Sequence, residues 1–175
     1  SRITNCNARL ICFVVYGQNV NAGTVSMSGA IPISNALKDL GIKTPISYLG
    51  SYIQALPIKA LTDEVSIDFG FTNEGVYALW NVLSLPEITP PHLKNIKGIV
   101  IRDNNRVVIN KAEIVVPTER MDIDLPGYAW DLLPQNQKPL DLYRAPLWHG
   151  EYDEEKRSPY AAIQSSLGCN FGCSF

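Results

Sequence analysis

Two cysteines, Cys169 and Cys173, stand four positions apart in "SSLGCNFGCSF" at 165–175. Thiolates so spaced can reach one metal centre from a single loop, or act as a redox pair. A structural zinc site takes four ligands, and neither a second cysteine pair nor a nearby histidine pair accompanies these two. Cys6 and Cys12 lie before and inside the first apolar run, where a thiol is expected to pack as a small buried hydrophobe. His92 follows Pro90 and Pro91 in a loop, and His149 sits beside Trp148. Imidazole can ligate a metal, but both histidines read as solvated side chains. Asp122, Asp124 and Asp131 group in "MDIDLPGYAWD"; beside so many prolines they are expected to satisfy backbone amides of turns.

The elements that would position these groups alternate between strand and helix over the first two thirds of the chain. Leu10 to Tyr16 is a continuous apolar, β-branched run broken at Gly17, as suits a strand covered on both faces. The next pattern is helical, with Ile33, Ala36, Leu37 and Leu40 on its apolar face, Pro32 in the first turn and Gly41 at the C-terminal cap. Pro45 to Leu49 reads as a second strand ended by Gly50, Pro57 to Leu61 as a single helical turn, and Ser66 to Phe71 as a third strand. A helix over 72–84 then opens on capping-type residues and places Val76, Leu79, Trp80 and Leu83 on one face.

This succession predicts an α/β fold with a parallel sheet, whose ligands bind at the carboxyl ends of the strands. The strand exits are Tyr16, Gly17, Gln18 and Asn19; Gly50, Ser51 and Tyr52; and Thr72 with Asn73, Glu74 and Gly75. Glycine among small polar side chains lets a backbone approach a ligand, and it serves equally well in ordinary turns. Beyond the sheet, "KGIVIRDNNRVVIN" at 97–110 reads as a hairpin around Asn104 and Asn105. Five prolines from Pro117 to Pro146 exclude helix and central strand, leaving an ordered, extended linker that docks on the domain. "YAAIQSS" at 160–166 is a new apolar strand leading straight into the cysteine loop.

With 175 residues, 46% hydrophobic and 18% charged, the chain has material for one core of normal size plus an appendage. A formal charge of −2 without a clustered Lys/Arg stripe argues against nucleic acid as a partner. The longest apolar run, "LICFVVY" at 10–16, is far short of the roughly 18–20 residues of a membrane helix, so no membrane partner is expected. No basic stretch followed by an apolar one opens the chain, which points to a cytoplasmic protein.

"AAIQSSLGCNFGCSF" resembles the opening strand and cluster loop of the radical SAM superfamily, whose motif is Cys-x3-Cys-x2-Cys with an aromatic residue before the third cysteine. Cys169, Cys173 and Phe175 fit the first two cysteines and the aromatic; the third cysteine would be residue 176. "LGSYIQALP", "IDFGFTNEGVYAL", "IKGIVIRDNNRVVIN" and "MDIDLPGYAWDLLP" resemble, in that order, the latter half of a cobalamin-binding domain and its connector to the barrel in B12-dependent radical SAM proteins. The resemblance runs from residue 10 onward.

What it implies is a partial parallel-sheet, Rossmann-like cobalamin-binding domain over 1–110 that lacks its first strands. A proline-rich linker over 111–159 would follow, then the first strand and cluster loop of a partial (β/α) barrel at 160–175. The chain would be the N-terminal fragment of a radical SAM enzyme, cut one residue before its third cluster ligand. Cys169 and Cys173 would ligate a [4Fe-4S] cluster whose open iron takes S-adenosylmethionine, giving a 5′-deoxyadenosyl radical. Phe175 would border the adenine, and the cobalamin tail would run into the three strand exits. A flavodoxin or ferredoxin would donate electrons, a small molecule would be the substrate, and methyl transfer is the outcome considered. Two features depart from the pattern: Gly50 is followed by Ser51 where many such domains have a second glycine, and no Asp-x-His-x-x-Gly element is present. With two thiolates the chain itself is expected not to hold a stable cluster. The alternatives are a non-catalytic cobalamin-binding module and a plain α/β domain with a structural dithiol or zinc loop.

Overall fold

A computed structural model describes residues 2–15, 27–104, 106–125, 127–132 and 172. The chain divides into two compact units, Ser1–Pro126 and Gly127–Phe175. The first unit contains, in order, α1 (Arg2–Asn5), β1 (Ile11–Val15), α2 (Met27–Asp39), β2 (Ile46–Gly50), α3 (Ser51–Ala55), α4 (Pro57–Asp63) and β3 (Phe69–Phe71). It continues with α5 (Val76–Leu83), α6 (Pro90–Leu93), β4 (Ile99–Asp103), β5 (Arg106–Ile109), a 3-10 turn at Thr118–Arg120 and α7 (Met121–Asp124). In the second unit a 3-10 turn spans Trp130–Leu132, and Tyr128 stacks on Trp130 with ring centroids 5.1 Å apart.

The strands form one open sheet in the order β1-β2-β3-β4-β5. The first three run parallel, and β4 and β5 are antiparallel, so the fold is α/β with a mixed sheet. The hairpin expected at 97–110 is the antiparallel half of this sheet, because β4 pairs with β3 from Phe69 opposite Ile101 to Phe71 opposite Ile99. Its tight turn falls where expected: Asp103 faces Arg106, and Asn104 takes the positive φ of 47° that such a turn demands.

Side chains alternate between two cores. On one face Ile46, Tyr48 and Val100 pack with Ala30 and Leu37 of α2, Ile53 of α3, and Ala60 and Leu61 of α4. On the other, Leu49, Phe69, Phe71, Ile99 and Ile101 pack with Ala78 and Val82 of α5 and Leu93 of α6. The two parallel crossovers thus lie on one face and step across the sheet in one direction, so they share one hand. All five residues of β2 are buried, the expected pattern of a covered strand. β1 departs from that expectation: it pairs with β2 alone among the described residues, and Val14 is 63% exposed. Cys12 is half-buried against the second core, whereas Cys6, expected to be buried, is exposed.

Two helices keep inward only part of the face their apolar spacing suggests, Leu37 of α2 and Leu79 of α5. In α2 the buried residues are Ala30, Ser34 and Leu37, while Ile33 and Leu40 are exposed. The cause is a polar network: Ser34 Oγ lies 2.7 Å from the Tyr48 hydroxyl, 2.8 Å from Ser66 Oγ and 3.0 Å from the Ile31 carbonyl. A buried hydroxyl must be so satisfied, and these partners fix the rotation of the helix. α2 also starts at Met27, so Pro32 sits inside it instead of in its first turn. Both Pro32 and Ser28, whose carbonyl the proline cannot bond, are exposed, so water can serve that carbonyl. The end is as expected: Gly41 has φ 76°, its N–H donates to Lys38 O, and Ile42 N–H donates to Leu37 O, the paired closure of a Schellman motif. In α5, Ala78 and Val82 are buried while Trp80 is 73% exposed.

At the amino ends of β2 and β3, charged groups tie down the backbone. Asp68 Oδ2 accepts from Ile46 N–H at 2.7 Å and from Lys38 Nζ at 2.8 Å. The Arg102 guanidinium, from β4, donates to the carbonyls of Leu61, Glu64 and Ile67. It closes the C-terminal end of α4, where a cation is favoured. Burial pushes the Arg102 pKa below the usual guanidinium range, an effect partly offset by Asp68.

Candidate functional site

The exits of β2 and β3 lie together at the carboxyl edge of the parallel strands, where α/β sheets take their ligands. β2 ends at Gly50 and passes directly into α3 at Ser51. β3 ends at Phe71 and reaches α5 through Thr72, Asn73, Glu74 and Gly75. One hydrogen bond joins the two exits: Gln54 Nε2 donates to the Asn73 carbonyl at 2.6 Å. The β1 exit, Tyr16, Gly17, Gln18 and Asn19, lies outside the described residues, as do Cys169, Cys173, Phe175, His149 and the strand at 160–166.

The two glycines of this edge answer to the chain's own packing. Gly50 has φ 133°, and a Cβ there would stand 2.1 Å from the Val15 carbonyl oxygen on β1. Gly75 is the left-handed residue preceding α5, and a Cβ there would meet Leu49 Cδ1 at 2.2 Å. Neither therefore leaves a hollow that a ligand backbone or phosphate would fill. Of the other exit residues, Ser51 is exposed and Tyr52 is half-buried against the first core. Glu74 is half-buried, with no hydrogen bond or ion pair among the described residues.

Asn73 is the most heavily used side chain here. Its Oδ1 accepts from Gly75 N–H at 2.8 Å, an Asx-type turn made just ahead of α5 by one of the capping-type residues expected there, although the N-cap itself is Gly75. Its Nδ2 donates to the Glu113 carbonyl at 3.0 Å. Glu113 belongs to the extended segment that leaves β5, and its Oε2 accepts from Asn81 Nδ2 at 3.2 Å. Further along, Tyr77 donates its hydroxyl proton to Asp124 Oδ2 at 2.6 Å, while Arg120 grips the same carboxylate at 3.0 and 2.7 Å. Arg120 first, then Tyr77, holds the Asp124 pKa below the ordinary carboxylate range. Asp124 in turn raises that of Tyr77. Asp124 thus pairs with side chains, where turn amides were expected, and the segment over 111–124 is ordered and docked on α5 and the β3 exit.

Gln54 and Glu113 were not legible as partners of Asn73, nor Asn81 as a partner of Glu113, nor Tyr77 of Asp124. Gln54 carried a usable signal, a polar residue one helical turn after a strand exit. Glu113 carried none, being 40 residues away. His92, read as a loop side chain, is exposed in α6 with Nδ1 2.9 Å from Glu87 O and from Thr89 Oγ1. Elsewhere, the thiol of Cys12 is pushed up by burial, partly offset by the Ser47 hydroxyl opposite it on β2. That contact falls short of hydrogen-bond geometry, and Ser47 Oγ has no partner among the described residues.

No group of three or more His, Cys, Asp or Glu side chains placed to hold a metal occurs among the described residues. No helix among them is long and apolar enough to cross a membrane. The chain matches no protein-family model and no curated protein.

Proposed function

We propose that this chain is part of a cobalamin-dependent radical SAM enzyme, with a Rossmann-like cobalamin-binding domain built on the mixed sheet. Cys169 and Cys173 are two of three thiolates for a [4Fe-4S] cluster, and Phe175 flanks the adenine of S-adenosylmethionine. The observation that carries this is the order of parts. Three parallel strands bring their carboxyl ends to one edge of an open sheet, and the hairpin, the proline-rich segment and the Cys-x3-Cys loop with its aromatic follow in sequence. When bound, the cluster and S-adenosylmethionine supply a 5′-deoxyadenosyl radical. A small reduced flavodoxin or ferredoxin is the electron donor, and a small molecule is the substrate.

The chain's own contribution at the carboxyl edge is binding and orientation. Ser51 offers an exposed hydroxyl, Tyr52 an aromatic wall, and Glu74 a carboxylate without a described partner. The edge does not fit a bulky cofactor tail as it stands, because Gly50 and Gly75 are packed against Val15 and Leu49 and both ends of the Asn73 amide are engaged. These same facts favour the second reading, a plain α/β domain whose turns serve only its fold.

Hydroxocobalamin titration separates the two. A cobalamin domain gives a saturable spectral change and retention of the corrinoid on gel filtration, and a plain domain gives neither. For the cluster, anaerobic iron and sulfide reconstitution of this chain should yield well under the roughly four irons of a [4Fe-4S] centre. A full complement, with absorption near ~400 nm lost on Cys169→Ala, would contradict the need for a third thiolate.

A further inference from the structure

One part of the misfit at the β3 exit, the engagement of Asn73 Nδ2, comes from the extended segment that follows β5. After Ile109 the chain continues the ladder through Asn110 N–H to Ile99 O and Gly98 N–H to Lys111 O, then turns along α5. It is held at three places. Glu113 takes the Asn73 amide through its carbonyl and the Asn81 amide through its carboxylate. Val116 is buried at 4% exposure. Tyr77 and Arg120 close on Asp124.

These attachments differ in kind from those of the core. Val116 is the one fully buried side chain over 111–124, and Ile114, Val115 and Ile123 are all more than half exposed. A segment with so little apolar burial, held mainly by side-chain hydrogen bonds, belongs to the parts of a protein that open locally at low cost. The sheet beneath it, with Phe69, Phe71, Ile99 and Val100 at 0% exposure, opens only with the whole domain.

We propose that residues 111–124 form a strap that closes the exit of β3 and opens as a unit while the sheet stays folded, freeing the Asn73 amide for a ligand. This rests on reading the carboxyl edge as the binding edge. A ligand that takes the Asn73 Nδ2 proton replaces the Glu113 carbonyl, so binding and strap closure oppose each other. By linkage, whatever loosens the strap favours the ligand to the same degree.

Two substitutions separate the strap from the fold. Asn73→Asp keeps the oxygen that accepts from Gly75 N–H and replaces the donor to Glu113 with a second acceptor, so the turn survives while the strap is repelled. Tyr77→Phe removes only the hydroxyl that meets Asp124. In hydrogen–deuterium exchange on the full chain, Asn73→Asp should speed exchange by about tenfold at the paired strap amides of Arg120, Met121 and Leu125. Tyr77→Phe should do so at the same amides by a few-fold, with 46–50 and 99–101 unchanged in both. Strap exchange that does not change in either variant, or that rises only together with the sheet, overturns the proposal. No ligand enters this experiment, so its failure leaves the cofactor reading standing, and failure of hydroxocobalamin to bind leaves the strap standing.

Discussion

At the amino edge of the parallel strands, Asp68 and Arg102 secure strand and helix ends with charged groups, whereas at the carboxyl edge Gln54 and Asn73 do so with neutral amides. The difference is energetic. Hydrogen bonds to ionised groups contribute about twice what neutral ones do, and removing their partner strands a carbonyl or a charge. Neutral amide bonds, by contrast, can be traded for a ligand's bonds with little net change. The sheet is fastened where nothing needs to enter and exchangeable where a ligand would.

That contrast can be broken from the backbone first. Gly50→Ala places a methyl carbon against the Val15 carbonyl at an unfavourable φ; it should cost about 3 kcal/mol or more, read as a loss of denaturation midpoint. A smaller cost would mean that β1 and β2 can separate at their carboxyl ends. Next in size is Arg102→Met, which keeps the aliphatic stem but leaves the carbonyls of Leu61 and Ile67 without that donor, while Glu64 O keeps the Ile67 N–H. Roughly 2–3 kcal/mol is expected. Gln54→Ala at the other edge should cost only about 1 kcal/mol, and equal losses for the two would erase the distinction between the edges.

The smallest effect lies in acid. The folded chain favours ionised Asp124 through Arg120 and Tyr77, so its carboxyl binds a proton less readily than in the unfolded chain. Its contribution is complete above the unfolded value of about 3.9 and is lost as pH falls through the lower folded value. An NMR titration of the Asp124 side-chain carboxyl should give a midpoint below that of a free aspartate. The midpoint should move up in Tyr77→Phe; no movement would show that the hydroxyl does not hold the strap.

What could be read in advance was local. Gly41 at a helix end, Asn104 in a two-residue turn and a short second strand ending at Gly50 follow from backbone sterics and short-range pattern, and all are present. The inward faces of α2 and α5 were misread because tertiary partners decide them. Ser34 counts as polar until Tyr48 and Ser66 arrive to satisfy it, and the small Ala78 is the α5 side chain that meets the close-packed Gly98. The exits themselves were legible as strand ends. Their engagement by Glu113 was not, because a contact across 40 residues leaves no periodicity in sequence. The cysteine loop, which carries most of the proposed chemistry, lies outside the described residues.

The most direct test joins ligand and strap in one measurement: hydrogen–deuterium exchange of the Tyr77→Phe chain with and without excess hydroxocobalamin. Occupation of the carboxyl edge should slow exchange at 50–52 and 73–75 while speeding it at 118–125. Identical exchange at all three stretches with and without the corrinoid would contradict the assignment of this edge as a cobalamin site.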